Sequence, residues 1–365
     1  MPQKPSPTQL APSLPDGCER LSRNIGPRMP HLYCHKAAGW LAACLLSLHA
    51  AAQPATDSTA PPAPRPTMNY WRHELLVTSE NDNYVLQLRD GYYTNGLSFR
   101  FSWAGGTRHK QVWSAELGQH IFNPVRYDSI NLATQDRPFA GYLYGSLQRR
   151  HFSRPGRMMA FSATVGTIGP RSGAEQVQRW YHGIIGIYDV EGWPNQLRNE
   201  WSLNLGWQMA HTLLKGAPAS RGYDVAATAQ AHLGNALTNA STGVLLRAGK
   251  MEDYANSAHF DGRVSRRGGP APGHRKEFYF FIHPMLTWQG YHAALQGGLF
   301  TDDKGPKTAE LRPWVFSQQI GFKLAQNRWT LGMHYIARSR QAEQQLRKER
   351  FISIQIAYRT GKYQP

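Results

Sequence analysis

The chain has 365 residues, with 41 Lys and Arg against 24 Asp and Glu and a formal charge of +17. That length admits one large all-β domain or two ordinary ones. Its three cysteines (Cys18, Cys34 and Cys44) all precede the export cut predicted below, which excludes disulfide and metal–thiolate chemistry from the mature chain.

Residues 1–28 are rich in Pro, Ser and Arg without hydrophobic periodicity, and read as a dispensable extension ahead of a true start at Met29. From Met29 to residue 52 the pattern is that of a secretory signal peptide. His31, His35 and Lys36 precede an apolar run from Ala37 to Leu48, and Ala50-Ala51-Ala52 supplies a small-residue cleavage site. Leu41-Ala42-Ala43-Cys44 resembles a lipoprotein box, but apolar Leu45-Leu46-Ser47-Leu48 follows where a lipoprotein turns polar. The apolar run is also too short to span a bilayer as a helix. Removing 1–52 takes away five Lys/Arg and two Asp/Glu and leaves a formal charge of +14. For an exported chain that charge points to anionic lipopolysaccharide or phospholipid headgroups rather than nucleic acid.

Residues 53–68 are rich in Ala and Pro and form a linker that cannot join a β-ladder. From residue 69 to 365, segments of about ten residues alternate apolar and polar between Gly, Pro, Asn or Asp. In 97–103, Leu97, Phe99, Phe101 and Trp103 share one face and Ser98, Arg100 and Ser102 the other. Similar segments are 72–79, 110–119, 139–151, 157–167, 201–207, 223–233, 238–250, 275–288, 290–300, 313–324, 329–335 and 351–358. These thirteen exceed an even number by one, and single-chain bacterial barrels use even numbers, so twelve strands are expected. A soluble β-sandwich is the alternative. Strand length, aromatics at strand ends (Tyr70, Trp71, Trp103, Trp201, Trp288, Tyr291, Trp314, Trp329, Tyr358) and a polar alternate face favour an antiparallel transmembrane β-barrel.

One segment breaks this rhythm. Ser172-Gly173-Ala174-Glu175 has capping-box spacing. Val177, Trp180, Tyr181, Ile184 and Ile185 then fall on one helical face, while Glu175, Gln178 and His182 fall on the other. A short amphipathic helix over about 172–187 is predicted, its apolar face packed and its Glu-Gln-His stripe pointing away.

Several polar residues have no role in a barrel wall. His182 can act as a general base, with Gln178 one turn earlier to orient it or a substrate oxygen; it is also one of fifteen histidines, most of which serve structure. Asn81, Asp82 and Asn83 either shape a turn or, with a nearby hydroxyl, offer oxygens to a hard cation such as calcium. Asp136-Arg137 is either a surface ion pair or a site where Arg137 grips a phosphate. There is no Gly-x-Ser-x-Gly elbow, no His-Glu-x-x-His and no phosphate-binding Walker loop.

The chain resembles the outer-membrane lipid A 3'-O-deacylase family over nearly all of its length after Glu80. The resemblance is carried by Glu80-Asn81-Asp82, Tyr93-Thr94-Asn95-Gly96-Leu97, Asp136-Arg137-Pro138-Phe139-Ala140-Gly141, Gly169-Pro170 through Gly173, Glu175, Val177, Gln178 and His182, and Gly192-Trp193-x-Asn195-Gln196-Leu197. It implies a twelve-stranded barrel that removes the 3'-linked acyloxyacyl chain of lipid A and requires calcium. Asn81, Asp82, Thr94 and His182 would correspond to active-site residues, and Gln178 to a helix position beside the histidine. His182 would act as base on a water, with calcium held near Asn81, Asp82 and Thr94. The chain departs from the family in lacking a lysine between Phe122 and Asp136, where Arg126 stands, and in its final Gly361-Lys362-Tyr363-Gln364-Pro365. The signal for the outer-membrane assembly machinery is therefore expected in Phe351–Tyr358. The rival functions are a phospholipase with a serine nucleophile and a non-enzymatic porin-like barrel.

Overall fold

Twelve antiparallel strands close on themselves, each paired with its sequence neighbours, and β1 with β12. In order they are β1 (Tyr70–Asn81), β2 (Tyr92–Gly105), β3 (Lys110–Asn123), β4 (Ala140–Arg154), β5 (Arg157–Ile168), β6 (Glu200–Gly216), β7 (Gly222–Gly234), β8 (Leu237–Lys250), β9 (Glu277–His292), β10 (Trp314–Gln326), β11 (Trp329–Arg338) and β12 (Glu349–Tyr363). This computed structural model describes residues 70–85, 91–106, 109–126, 130–186, 189–216, 222–266 and 276–363. The predicted N-terminal extension, signal peptide and linker lie outside them.

Period-2 alternation sets the two faces of the wall. Along β1, Glu74 is buried inside, where Arg359 pairs with it at 2.6 Å, while neighbouring Leu75 is exposed on the outside. Phe99, Phe101, Leu117, Phe161, Val165, Leu203, Phe280 and Ile356 continue that apolar outer belt. Trp201, Trp288 and Trp314 stand exposed at one end of it and Trp329 at the other. An apolar band between aromatic girdles is the surface of an outer-membrane barrel. Among the described residues no helix is long and apolar enough to cross a membrane; the strands do so.

The predicted thirteenth strand, 290–300, is not one. β9 continues through its start to His292, and the chain then makes a single helical turn, α2 (Ala293–Gln296). Beyond it, the Glu200 carboxylate accepts from the Leu299 and Phe300 amides and the Thr301 hydroxyl, which fixes a loop instead of a ladder. β12 also runs past Tyr358 to Tyr363, longer than predicted.

The two rims differ. Connections 82–91, 124–139, 169–199, 293–313 and 339–348 are long, whereas 106–109, 155–156 and 327–328 are short. Long loops are extracellular and short turns periplasmic in such barrels. One periplasmic connection, that between β8 and β9, is long and folds inward. Its Tyr254, Phe260 and Val264 pack with Val112, Met158, Leu245 and Phe281 of the wall. Its Asp261 carboxylate is held by Arg100 at 2.7 Å and Arg150 at 2.8 Å. Lys110 and Lys323 donate to its Gly262 and Ala258 carbonyls. Above this plug lies a polar chamber of about 610 Å³, and Tyr93, Phe122, Ile336 and Phe351 cluster at the chamber's extracellular end.

Candidate active site on the outer wall

Of the expected site residues, Asn81 and Thr94 stand at the extracellular ends of β1 and β2, and Gln178 and His182 on a helix at the same rim. In β1 the lumen takes Glu74, Leu76 and Glu80, so Asn81 is on the outward face. In β2 the ladder passes from Tyr93↔Phe122 to Asn95↔Ile121, leaving Thr94 as an extra, bulged residue. A bulge re-aims side chains, and here the Asp82 amide donates to the Thr94 carbonyl at 3.4 Å. In β3 the lumen takes His120 and Phe122, so Gln119, Ile121 and Asn123 face out.

Asn81, Asp82 and Thr94 are all buried. Asn81 Oδ1 accepts from the Asn83 amide at 2.7 Å, and Asp82 Oδ2 accepts from the Gly91 amide at 2.7 Å. The Thr94 hydroxyl is buried with no hydrogen-bond partner among the described residues. Carboxylate, amide and hydroxyl oxygens are the donor set of a hard cation. Asp82, Asn81 and Thr94 together offer that set of oxygens, and among the described residues no three His, Cys, Asp or Glu side chains converge.

Helix α1 (Ala174–Ile185) lies against this outer wall. Gly141 of β4 lies on the outward face, and the space its missing side chain would fill is occupied by Ser172 Oγ and Ala174 Cβ. Gln119 Nε2 donates to the Ser172 carbonyl at 2.7 Å. Asn123 Nδ2 donates to Gln178 Oε1 at 3.1 Å, and Trp193 Nε1 to the same oxygen at 2.9 Å. Ile121, Phe139, Ala174, Val190 and Trp193 form the apolar cluster beneath.

Two expectations for the helix are overturned. The capping box is not formed: the N-cap is Gly173 in the left-handed region, Ser172 Oγ donates to the Gly169 carbonyl at 2.6 Å, and Glu175 pairs with Arg179 at 3.1 Å. The faces are also inverted. Gln178 and His182 are 3% and 4% exposed, whereas Trp180 and Ile184 are 67% and 63% exposed. The reason is the solvent. Outside a membrane barrel the apolar face meets lipid, and the polar stripe finds partners on the wall. Ala174, Gln178 and His182 recur every fourth residue and make one inward ridge. Gly186 ends the helix at φ 70°, its amide bonded to the His182 carbonyl.

Asp136 and Arg137 do neither of the things expected of them. Arg137 is fully buried, 3.6 Å from Glu349, with its Nη2 donating to the Ala294 carbonyl and its guanidinium over the Phe122 ring. Burial pushes it down to about 10, with Glu349 opposing the shift. A guanidinium so enclosed braces the rim and is not open to a substrate phosphate. Asp136 accepts from Tyr92 Oη at 2.5 Å, the Val125 amide at 3.1 Å and the Leu346 amide at 3.2 Å, tying three loops together.

Asn123 and the Tyr92 clamp were not foreseen. Neither has a local sequence signal; each becomes visible only when strands are paired. Trp193 stands in a motif already noted, but its bond to Gln178 is a tertiary fact.

The sequence profile of the family described as Outer membrane protein LpxR matches residues 40–360. Among solved structures, LpxR from Salmonella typhimurium is 18% identical, with a TM-score of 0.66, covering 79% of this chain and 100% of its own. The β domain of the Bordetella autotransporter BrkA (10% identical, TM-score 0.39, 79% and 98% covered) and the KdgM porin (6%, 0.35, 79% and 99%) are far less similar. A search of curated proteins finds no match. The profile covers most of the chain, and the fold matches that of the Salmonella structure: this chain belongs to the LpxR family of outer membrane proteins.

Proposed function

We propose that this chain is a lipid A 3'-O-deacylase, hydrolysing the ester of the 3'-linked acyloxyacyl chain in the outer leaflet. The observation that supports this most is a buried polar contact on the lipid-facing wall, Gln178 against Asn123, under a helix whose other face is apolar, with buried Asn81 and Thr94 at the ends of the neighbouring strands. A porin has no use for such a contact outside its lumen, and a lipid hydrolase needs it there.

In this reading His182 is the general base. It takes a proton from water as the water oxygen bonds to the ester carbonyl carbon. The C–O bond to the sugar then breaks, and the sugar oxygen leaves with that proton, giving a free fatty acid and a sugar hydroxyl. Gln178, held by Asn123 and Trp193, is a positioning residue that fixes the helix turn preceding His182. Asn81, Asp82 and Thr94 would hold calcium, whose charge when bound favours the negative charge that develops on the carbonyl oxygen. The apolar Trp180 and Ile184 keep the helix seated in the acyl-chain layer. A serine nucleophile is disfavoured at Ser172, whose hydroxyl is committed to the Gly169 carbonyl.

The test is a mass spectrum of lipid A from Gram-negative cells with and without this chain. Loss of one 3'-acyloxyacyl group upon expression is expected. Unchanged lipid A with the barrel correctly inserted would overturn the proposal.

A further inference from the structure

β12 enters the wall through Arg347, Lys348, Glu349 and Arg350, and alternation separates these charges. Glu349 is buried and turned inward, where Arg137 and Arg338 take its carboxylate. Arg347, Lys348 and Arg350 are exposed, and none has an acidic partner among the described residues. A run of three cations is thus freed of its one acidic neighbour.

Its place in the wall is fixed by register. Asn81 pairs with Ile352, and partners in an antiparallel pair share a face. Arg350 is two residues before Ile352 and therefore stands on Asn81's outward face, one step toward the extracellular side. Arg347 and Lys348 precede the strand, in the loop that leads into it, and are exposed there. The loop cannot swing away freely: Tyr92 Oη accepts from the Leu346 amide at 2.6 Å and the Arg347 amide at 2.9 Å, and donates to Asp136. Tyr92 itself lies two residues before Thr94. Arg350 is therefore held on the outer wall near Asn81, and Arg347 and Lys348 directly before it at the extracellular rim.

We infer that Arg347, Lys348 and Arg350 form a binding site for a phosphate group on the sugar headgroup of the lipid. Guanidinium forks and an ammonium suit a phosphomonoester dianion. Gripping the phosphate sets where along the sugar the neighbouring ester falls against the outer wall. The inference deepens the deacylase reading and rests on it for the identity of the ester, but phosphate binding can be measured without turnover.

The experiment measures binding of the full barrel, carrying His182→Ala, to nanodiscs containing either phosphorylated lipid A or lipid A stripped of its sugar phosphates. The lipid is recovered and checked by mass to be uncleaved. The combined change Arg347→Gln, Lys348→Gln and Arg350→Gln should weaken binding to phosphorylated lipid at least about tenfold and leave binding to stripped lipid unchanged. The loss should shrink as salt rises. All three residues are exposed, so the heat-modifiable gel shift should be retained; separate single changes, each giving part of the loss, cover a failure of the triple variant to fold. No loss, or equal loss on both lipids, would overturn the inference. So would full competition by inorganic phosphate at concentrations that leave headgroup binding at other barrels intact, since the site would then take the free ion. If lipid A binds in this way and is never deacylated, the phosphate site stands and the deacylase reading falls.

Discussion

Gly141→Ala tests whether the helix must lie against the wall. A Cβ at this position would sit well inside van der Waals contact of Ser172 Oγ and Ala174 Cβ. Ordinary carbon contacts need about 3.5 Å, so the start of α1 would shift outward by roughly an ångström. The Gly141 backbone does not lie in the left-handed region, so the cost is steric rather than conformational. Ala174, Gln178 and His182 share one rigid ridge, and the shift passes along it to the base. A misplacement of about 1 Å costs on the order of 10²-fold in rate. The assay is lipid A deacylation followed by mass spectrometry, with the gel shift confirming the barrel. Gly145→Ala is the control, because its added Cβ would meet only the Glu116 carbonyl at 4.0 Å; it should leave the rate unchanged. Gly183→Ala meets nothing within 4 Å and should firm the helix by about 1 kcal/mol. Full activity in a folded Gly141→Ala barrel would refute the wall-and-helix arrangement.

Other perturbations probe the parts separately. Asp82→Ala removes the one carboxylate of the calcium-type donor set and should raise the calcium concentration needed for half-maximal activity by tenfold or more; titration calorimetry reads the same change directly. Glu349→Gln leaves Arg137 as a buried charge without its counterion and should destabilise the barrel by about 3–5 kcal/mol, seen as a lower temperature for loss of the compact gel species. Burial raises the Asp261 carboxyl, but Arg150 and Arg100 outweigh it and hold it at about 2. Because the folded value lies below an unfolded one of about 3.9, the ion pairs add stability above about pH 4 and lose it as pH falls toward 2. Hydrogen exchange of the plug should accelerate across that window, and an Asp261→Asn plug should show no such dependence.

The barrel was legible because each strand carries its own alternation. The expected twelve strands are present, and of the thirteen candidate segments only 290–300 is not a strand of its own: Tyr291 and His292 continue β9, and capture of the Leu299 and Phe300 amides by Glu200 then fixes a loop. The plug was not legible: residues 251–266 have neither period-2 alternation nor a motif, and their place depends on Arg100 and Arg150 from distant strands. The helix is legible from its periodicity, but not its orientation, because its apolar residues face lipid rather than protein. Asn81, Asp82, Thr94, Gln178 and His182 are candidates by residue type and resemblance; Asn81 and Thr94 lie at the extracellular ends of β1 and β2, and Gln178 and His182 on the buried ridge of the helix. Asn123 carries no signal of its own, because an asparagine ending a strand looks like any turn residue. Arg137 looked like an anion-binding group from its neighbours in sequence, and only its enclosure with Glu349 and Phe122 shows otherwise.

The most direct test of the account is lipid A deacylation by the purified wild type and by His182→Ala, each with calcium and with a chelator, read by mass spectrometry. A general base contributes about 10²–10⁴-fold. Loss of the 3'-acyloxyacyl group is expected in calcium-replete wild type alone, with both proteins keeping the compact gel species. A His182→Ala barrel that deacylates at the wild-type rate would contradict it, as would wild-type activity that persists in chelator.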